Sequence, residues 1–156
     1  MSEIFSENHI YLGKDFEDKF GLFHFIATNL IAEGYVCDDY EEALKAREVE
    51  FPTGLATEEF GVAIPHCSSE HVIKQCISFI RMNNPVVFNQ MGSIDNETVA
   101  CKFAFVLSIK DPSKQVGVLV KLIEIIQDAS FMKELLESED TNYICNKLNQ
   151  RFEDVV

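Results

Sequence analysis

Two short stretches of the chain hold side chains that can do chemistry together. One is Gly61-Val62-Ala63-Ile64-Pro65-His66-Cys67, an apolar run that enters a proline and delivers a histidine. The other is Arg47-Glu48-Val49-Glu50-Phe51-Pro52-Thr53-Gly54-Leu55. A neutral imidazole is a competent nucleophile near neutral pH. A guanidinium is a planar fork matched to phosphoryl oxygens. Together they are the least equipment with which a protein can carry a phosphoryl group on histidine.

Both residues also have ordinary readings. Arg47 falls on the apolar stripe Tyr40, Ala43, Leu44 of an expected helix. A cation there must pair with Glu48 or Glu50, snorkel to the surface, or clamp an anion. His66 follows a strand and precedes Ser68-Ser69-Glu70, which can open a short helix. That places it at a sheet edge, where ligands of open α/β sheets bind, and turn amides near Cys67 and Ser68 would favour an anion. Otherwise it is a half-buried histidine without chemistry, the reading given to His9, His24 and His71. His66 and His71 are five apart, off a common helix face, so they are no metal pair. Cys67 next to His66 is not a nucleophile–base pair, because adjacent side chains point apart; it reads as a small packed residue.

The elements that must position these groups follow from periodicity. Ile10-Tyr11-Leu12 is a short strand. Phe16, Phe20, Phe23, Ala27, Leu30 and Ile31 mark a helix ending near Gly34. A second helix starts after Asp38-Asp39, and Pro52 and Gly54 force a turn. Strands are expected at Val62–Ile64 and Cys76–Ile80, then at Val86–Phe88 after an Asn83-Asn84-Pro85 turn. From Val99 to Ile109 every odd position is apolar, and Ala104 and Val106 are apolar as well. Such a strand is buried on both faces, at the centre of a sheet covered by helices. Asp111-Pro112-Ser113 opens a long helix through Gln127, with Val116, Leu119, Val120, Ile123 and Ile126 toward the core. Helices near Phe131–Leu136 and Asn142–Arg151 complete a three-layer α/β/α sandwich with a small central mixed sheet.

Composition bounds the function. The chain has 156 residues, enough for a single domain with a real core. Its net charge is −13, which argues against nucleic acid and anionic membranes and suits a basic protein partner. The longest unbroken apolar run, Phe103–Leu107, is far below membrane-spanning length, so no membrane insertion is expected. The five cysteines are odd in number and lack CxxC spacing, so no disulfide framework or zinc site is signalled. Free thiols and an acidic, polar N-terminus fit a cytoplasmic location. No metal-ligand set and no Gly-rich phosphate loop are visible, so no metal, nucleotide or other cofactor is expected.

Arg47-Glu48, Pro52-Thr53-Gly54-Leu55 and Ile64-Pro65-His66, in this order and spacing, resemble the enzyme IIA family of fructose, mannitol and galactitol type. That family serves the phosphoenolpyruvate-dependent sugar phosphotransferase system. The resemblance spans roughly residues 5–152 of a chain read as a single IIA domain over 1–156. Within the family, Ala46-Arg47-Glu48-Val49-Glu50-Phe51-Pro52-Thr53-Gly54 followed by Pro65-His66-Cys67 most resembles the galactitol branch; commoner relatives have glycine where this chain has Cys67. The resemblance implies a phosphotransferase component in which His66 takes a phosphoryl group from HPr and passes it to a cysteine of enzyme IIB, serving the permease IIC indirectly. Arg47 matches the arginine that steadies the phosphohistidine. Mannitol-type members carry a second histidine at the start of the long helix; here Lys114 or Gln115 stands near that place, and an amide can hold a phosphoryl oxygen or orient the imidazole. Regulatory relatives also exist, so a module signalling phosphorylation state through protein partners is the competing reading. A non-enzymatic relative of anion-transporter domains is disfavoured by Pro65-His66 and Arg47. A docking patch of Phe51, Leu55, Val72 and Ile73, rimmed by Glu58, Glu59 and Glu70, is expected around His66.

Overall fold

The computed structural model describes residues 3–153. The elements are β1 (Ile10–Lys14), α1 (Lys19–Ala32), α2 (Tyr40–Glu50), β2 (Gly54–Ala56), β3 (Gly61–Ala63), β4 (Cys76–Asn89), β5 (Thr98–Ser108), α3 (Pro112–Ile126), α4 (Ala129–Glu137) and α5 (Thr141–Arg151). Single 3₁₀ turns lie at Glu7–His9 and Ser69–His71. Side-chain carboxylates of Asp18, Asp111, Asp128 and Asp140 accept backbone N–H bonds at the starts of α1, α3, α4 and α5.

The sheet has five strands in the order β1-β4-β5-β3-β2. β1 with β4 and β3 with β5 are parallel; β4 with β5 and β2 with β3 are antiparallel. The sheet is therefore mixed, with β5 at its centre as the two-sided apolar pattern requires. Phe103, Phe105 and Leu107 pack on one face with α3, α4 and α5 residues such as Leu122, Phe131 and Leu148. Ala104 and Val106 pack on the other with Leu22, Ile26 and Leu30 of α1 and Tyr40 and Leu44 of α2. The three layers are those the sequence predicts.

Three local expectations are corrected. Cys76–Ile80 and Val86–Phe88 are one strand, β4, and Asn83-Asn84-Pro85 is not a turn. Residues 82–85 bulge opposite Lys102 of β5. Asp15 accepts from the Asn84 N–H at 3.1 Å and from the Asn83 amide at 3.0 Å, standing in for ladder bonds. Pro85 lies past the end of β1, where a missing N–H costs little. Gly54 opens β2 rather than a turn: a Cβ there would lie 2.7 Å from the Asn89 carbonyl oxygen. On α3 the inward residues are Val118, Leu122, Ile125 and Ile126, while Val116 and Val120 are 66% and 61% exposed. The helix is apolar on two sides, so periodicity alone cannot choose which faces the sheet.

Arg81 is a buried cation that the sequence reading passed over. It donates to the carbonyls of Leu135 and Ser138 at 2.8 and 2.6 Å, closing the end of α4, and to Glu139 at 2.7 Å. Replacing Gly54 with alanine should drive a methyl into the β4 backbone. We expect Gly54→Ala to lose about 1–3 kcal/mol of stability, read as a lower urea midpoint at unchanged slope; an unchanged midpoint would mean that the β2–β4 contact yields freely.

Candidate active site

β3 leads into Ile64-Pro65-His66, and the Leu107 N–H donates to the Pro65 carbonyl at 3.0 Å. His66 thus continues the parallel alignment of β3 and β5 to their carboxyl ends, where open α/β sheets bind ligands. His66 is 9% exposed. Its Nδ1 lies 2.8 Å from the Ile64 carbonyl oxygen. A carbonyl can only accept, so Nδ1 carries the proton and Nε2 carries the free lone pair. Nε2 has no hydrogen-bond partner among the described residues and is not sealed from solvent.

Burial pushes the His66 pKa below the ordinary 6.5; the Ile64 bond works against this, and the Arg47 charge adds to it. The ring is therefore neutral near pH 7. Burial pushes the neighbouring Cys67 thiol up to about 12, helped by Asp39 and Glu70 and opposed by Arg47. Cys67 is packed and protonated, not a competing nucleophile. All five cysteines are free thiols.

Arg47 is placed differently from its expected stripe. Its side chain is exposed, and its guanidinium stacks over the Phe51 ring at 4.4 Å. It has no carboxylate within ion-pair distance among the described residues. The buried charged residue of α2 is Glu48, 2% exposed. Tyr40, Leu44 and Glu48 form the inward row at a spacing of four. Glu48 does not pair with Arg47. Its two carboxylate oxygens accept from the Thr53 N–H at 2.7 Å and the Thr53 hydroxyl at 2.8 Å.

Gln115, in the first turn of α3, donates its side-chain amide to the Cys67 carbonyl at 3.3 Å, so α3 begins beside the histidine. Ser68 is exposed and donates to Glu70 at 3.0 Å. Of the expected docking residues, Phe51 and Ile73 are exposed and Leu55 is half-buried, but Val72 is core. Glu58 and Glu59 lie elsewhere. The pairing Gly54↔Ala63 and Ala56↔Gly61 puts their turn at the end of β3 remote from His66. There they line a cavity of about 420 Å³ with Phe60, Ile123 and Met132. Val116, one residue past Gln115, is exposed rather than core.

An imidazole with a fixed tautomer, at the ends of two parallel strands and within the field of a guanidinium, is the equipment of a phosphoryl carrier. Residues 3–151 match the family model described as "Phosphoenolpyruvate-dependent sugar phosphotransferase system, EIIA 2". The chain belongs to this family: it is a phosphotransferase component of the sugar phosphotransferase system and a phosphoryl carrier. The galactitol-specific EIIA component of Escherichia coli K12 is 33% identical over 129 residues, covering 83% of this chain and 85% of the relative. The complex of enzyme IIAMTL and phosphorylated enzyme IIBMTL from Escherichia coli matches with a TM-score of 0.70 and 23% identity, covering 90% of this chain and 93% of that one. Nitrogen regulatory protein IIA-Ntr from Neisseria meningitidis matches with a TM-score of 0.71 and 24% identity, covering 92% and 94%. Both structural likenesses are of fold. No helix among the described residues is long and apolar enough to cross a membrane.

The lowered His66 pKa sets a pH dependence. Protonation is disfavoured in the folded chain, so the neutral ring is fully present above 6.5 and is lost only as the pH falls through the lower folded value. A histidine-selective NMR titration should show His66 changing state below 6.5 with Nδ1 protonated throughout. A midpoint at or above 6.5 would contradict the buried, Ile64-bonded ring.

Proposed function

We propose that this chain, acting as a single IIA domain, takes a phosphoryl group on Nε2 of His66 from the phosphohistidine of HPr. It then hands that group to a cysteine of enzyme IIB, which feeds a membrane permease IIC. The observation that carries this reading is the Nδ1–H bond to the Ile64 carbonyl, which reserves Nε2 for chemistry. In the first transfer the Nε2 lone pair attacks phosphorus in line. The donor's P–N bond breaks and its electron pair returns to the donor imidazole. Positive charge grows on the His66 ring, where the Ile64 carbonyl already accepts from Nδ1–H. In the second transfer the partner's thiolate attacks phosphorus, the Nε2–P bond breaks and its pair returns to Nε2. Nδ1 keeps its proton throughout.

Arg47 is the cation for the phosphoryl oxygens. Its stacking on Phe51 holds the guanidinium outside the core, where an arriving phosphoryl group can meet it. Gln115 braces the Cys67 carbonyl behind the histidine, and Cys67 and Ser68 form the turn that the phosphoryl group would face. Galactitol, or a related sugar alcohol, is the substrate favoured by the likeness to the galactitol-specific component. A IIA protein does not itself touch the sugar, so nothing in the site selects it.

Incubation with enzyme I, HPr and phosphoenolpyruvate should add one phosphoryl mass, acid-labile and alkali-stable. His66→Ala should fold and take up none; a wild-type mass shift in that variant would sink the assignment. Arg47→Gln should slow transfer by about 2–4 kcal/mol of barrier, and Arg47→Lys should recover only part, since an ammonium lacks the fork.

The proposed docking surface lies around His66. Phe51, Ile73 and Val116 are its apolar members and Glu70 its acidic rim. With a net charge of −13, encounter with a basic donor should slow as salt rises. Glu70→Lys should slow stopped-flow phosphotransfer and Glu58→Lys, at the remote turn, should not. Equal effects of the two would mean that only net charge steers.

A further inference from the structure

Behind His66 runs a chain of hydrogen bonds that ends on a buried carboxylate. The Glu48 carboxylate holds the Thr53 N–H and hydroxyl. The Ile64 N–H donates in turn to both the carbonyl and the hydroxyl oxygen of Thr53, at 3.2 and 3.3 Å. The carbonyl of the same Ile64 accepts Nδ1–H of His66. Glu48, Thr53 and the Ile64 amide are all buried, so no water competes for these bonds.

We propose that Glu48 is a positioning residue for phosphoryl transfer. Through Thr53 it fixes the Ile64 peptide whose carbonyl selects the Nδ1–H tautomer of His66 and aims Nε2. The assignment of phosphorylation to His66 Nε2 is the reading on which this rests.

The geometry supports direction as well as contact. Thr53 spends its hydroxyl proton on Glu48, so its hydroxyl oxygen has lone pairs left for the Ile64 N–H. Oγ1 keeps that place only while a hydrogen-bonding side chain sits opposite it. Without the carboxylate, Thr53 Oγ1 is free to rotate and its N–H is buried unpaired. The Ile64 peptide then loses its second acceptor and can tilt. A small tilt at the carbonyl weakens the Nδ1–H bond and lets the proton move to Nε2, the atom that must attack.

Burial pushes the Glu48 carboxyl above its ordinary value, with the Thr53 bonds and the Lys19 charge opposing. A neutral residue of the same shape escapes that desolvation cost. Glutamine keeps an oxygen for the Thr53 N–H, and its amide can donate to the Thr53 hydroxyl.

The test uses the full chain labelled with ¹⁵N at histidine and measured unphosphorylated. Wild type should show a single His66 tautomer protonated at Nδ1. Glu48→Ala and Thr53→Val should show a mixture of tautomers, transfer from phospho-HPr slowed about tenfold or more, and some phosphate on Nδ1. Glu48→Gln and Thr53→Ser should retain the wild-type tautomer and stay within a few fold of its rate. If Glu48→Ala does not fold, Thr53→Val, which keeps the volume, decides. Folded Glu48→Ala or Thr53→Val with lower thermal stability but the wild-type tautomer and rate would overturn the proposal and leave Glu48 as a packing residue. The two readings fail separately. If wild type accepts no phosphate, the phosphorylation reading falls, while the tautomers still report whether Glu48 sets the imidazole.

Discussion

One carbonyl decides what His66 can do. An imidazole has two nitrogens of similar basicity, and a histidine free to choose would offer either. The Ile64 carbonyl, 2.8 Å from Nδ1, removes the choice. The surrounding structure serves to keep that carbonyl in place. The Ile64 N–H is held by Thr53, and the next carbonyl, of Pro65, is held by the Leu107 N–H of the central strand. Proline between them has a fixed φ and no N–H of its own, so the segment has few ways to rearrange. β5 is in turn buried on both faces between helices, which is why a loop residue is held as firmly as one in a strand.

The electrostatics around that atom are sparse. Arg47 is the charge that bears on the His66 ring, and it lowers the ring's affinity for a proton while offering a partner to a phosphoryl group. For the proposed transfer the two effects agree: an arriving dianion would find a neutral imidazole beside a cation. Cys67 is removed from competition by burial. Gln115 spends its amide on the Cys67 carbonyl. An amide does not titrate. The pH behaviour of the nucleophile's pocket is therefore that of the His66 ring, whose charge changes below its ordinary 6.5.

The sequence made some of this legible and concealed the rest for physical reasons. A strand ending in Pro-His can be read from neighbouring residues, so His66 and its place at the sheet end were accessible. The two-sided apolar run of β5 made the layers accessible as well. The inward residue of α2 was not. Tyr40 and Leu44 predict either Arg47 or Glu48 as the next inward position, since helices repeat between three and four. What settles it is Thr53, whose backbone and hydroxyl give a carboxylate two donors in the interior. The Asn83-Asn84-Pro85 bulge was hidden in the same way, because the Asp15 carboxylate that satisfies it comes from a distant part of the chain. Glu58 and Glu59 are near the histidine in sequence, yet the β2–β3 pairing carries them to the other end of the strand.

The adjacency of Arg47 and Glu48 then has a mechanical meaning. Successive residues on an α-helix point about 100° apart. If one side chain faces the core, its neighbour faces the rim. In α2 the anion takes the inward direction, where Thr53 supplies the donors that make a buried carboxylate tolerable. The cation takes the outward one and is laid on Phe51, exposed to solvent. Exchanging the two would bury a guanidinium among donors and expose a carboxylate to an incoming phosphate, and both would be unfavourable. In the proposed transfer, one helical turn couples the scaffold of His66 to the cation assigned to the phosphoryl group. Any shift of α2 along its axis would disturb the tautomer of His66 and the reach of Arg47 together.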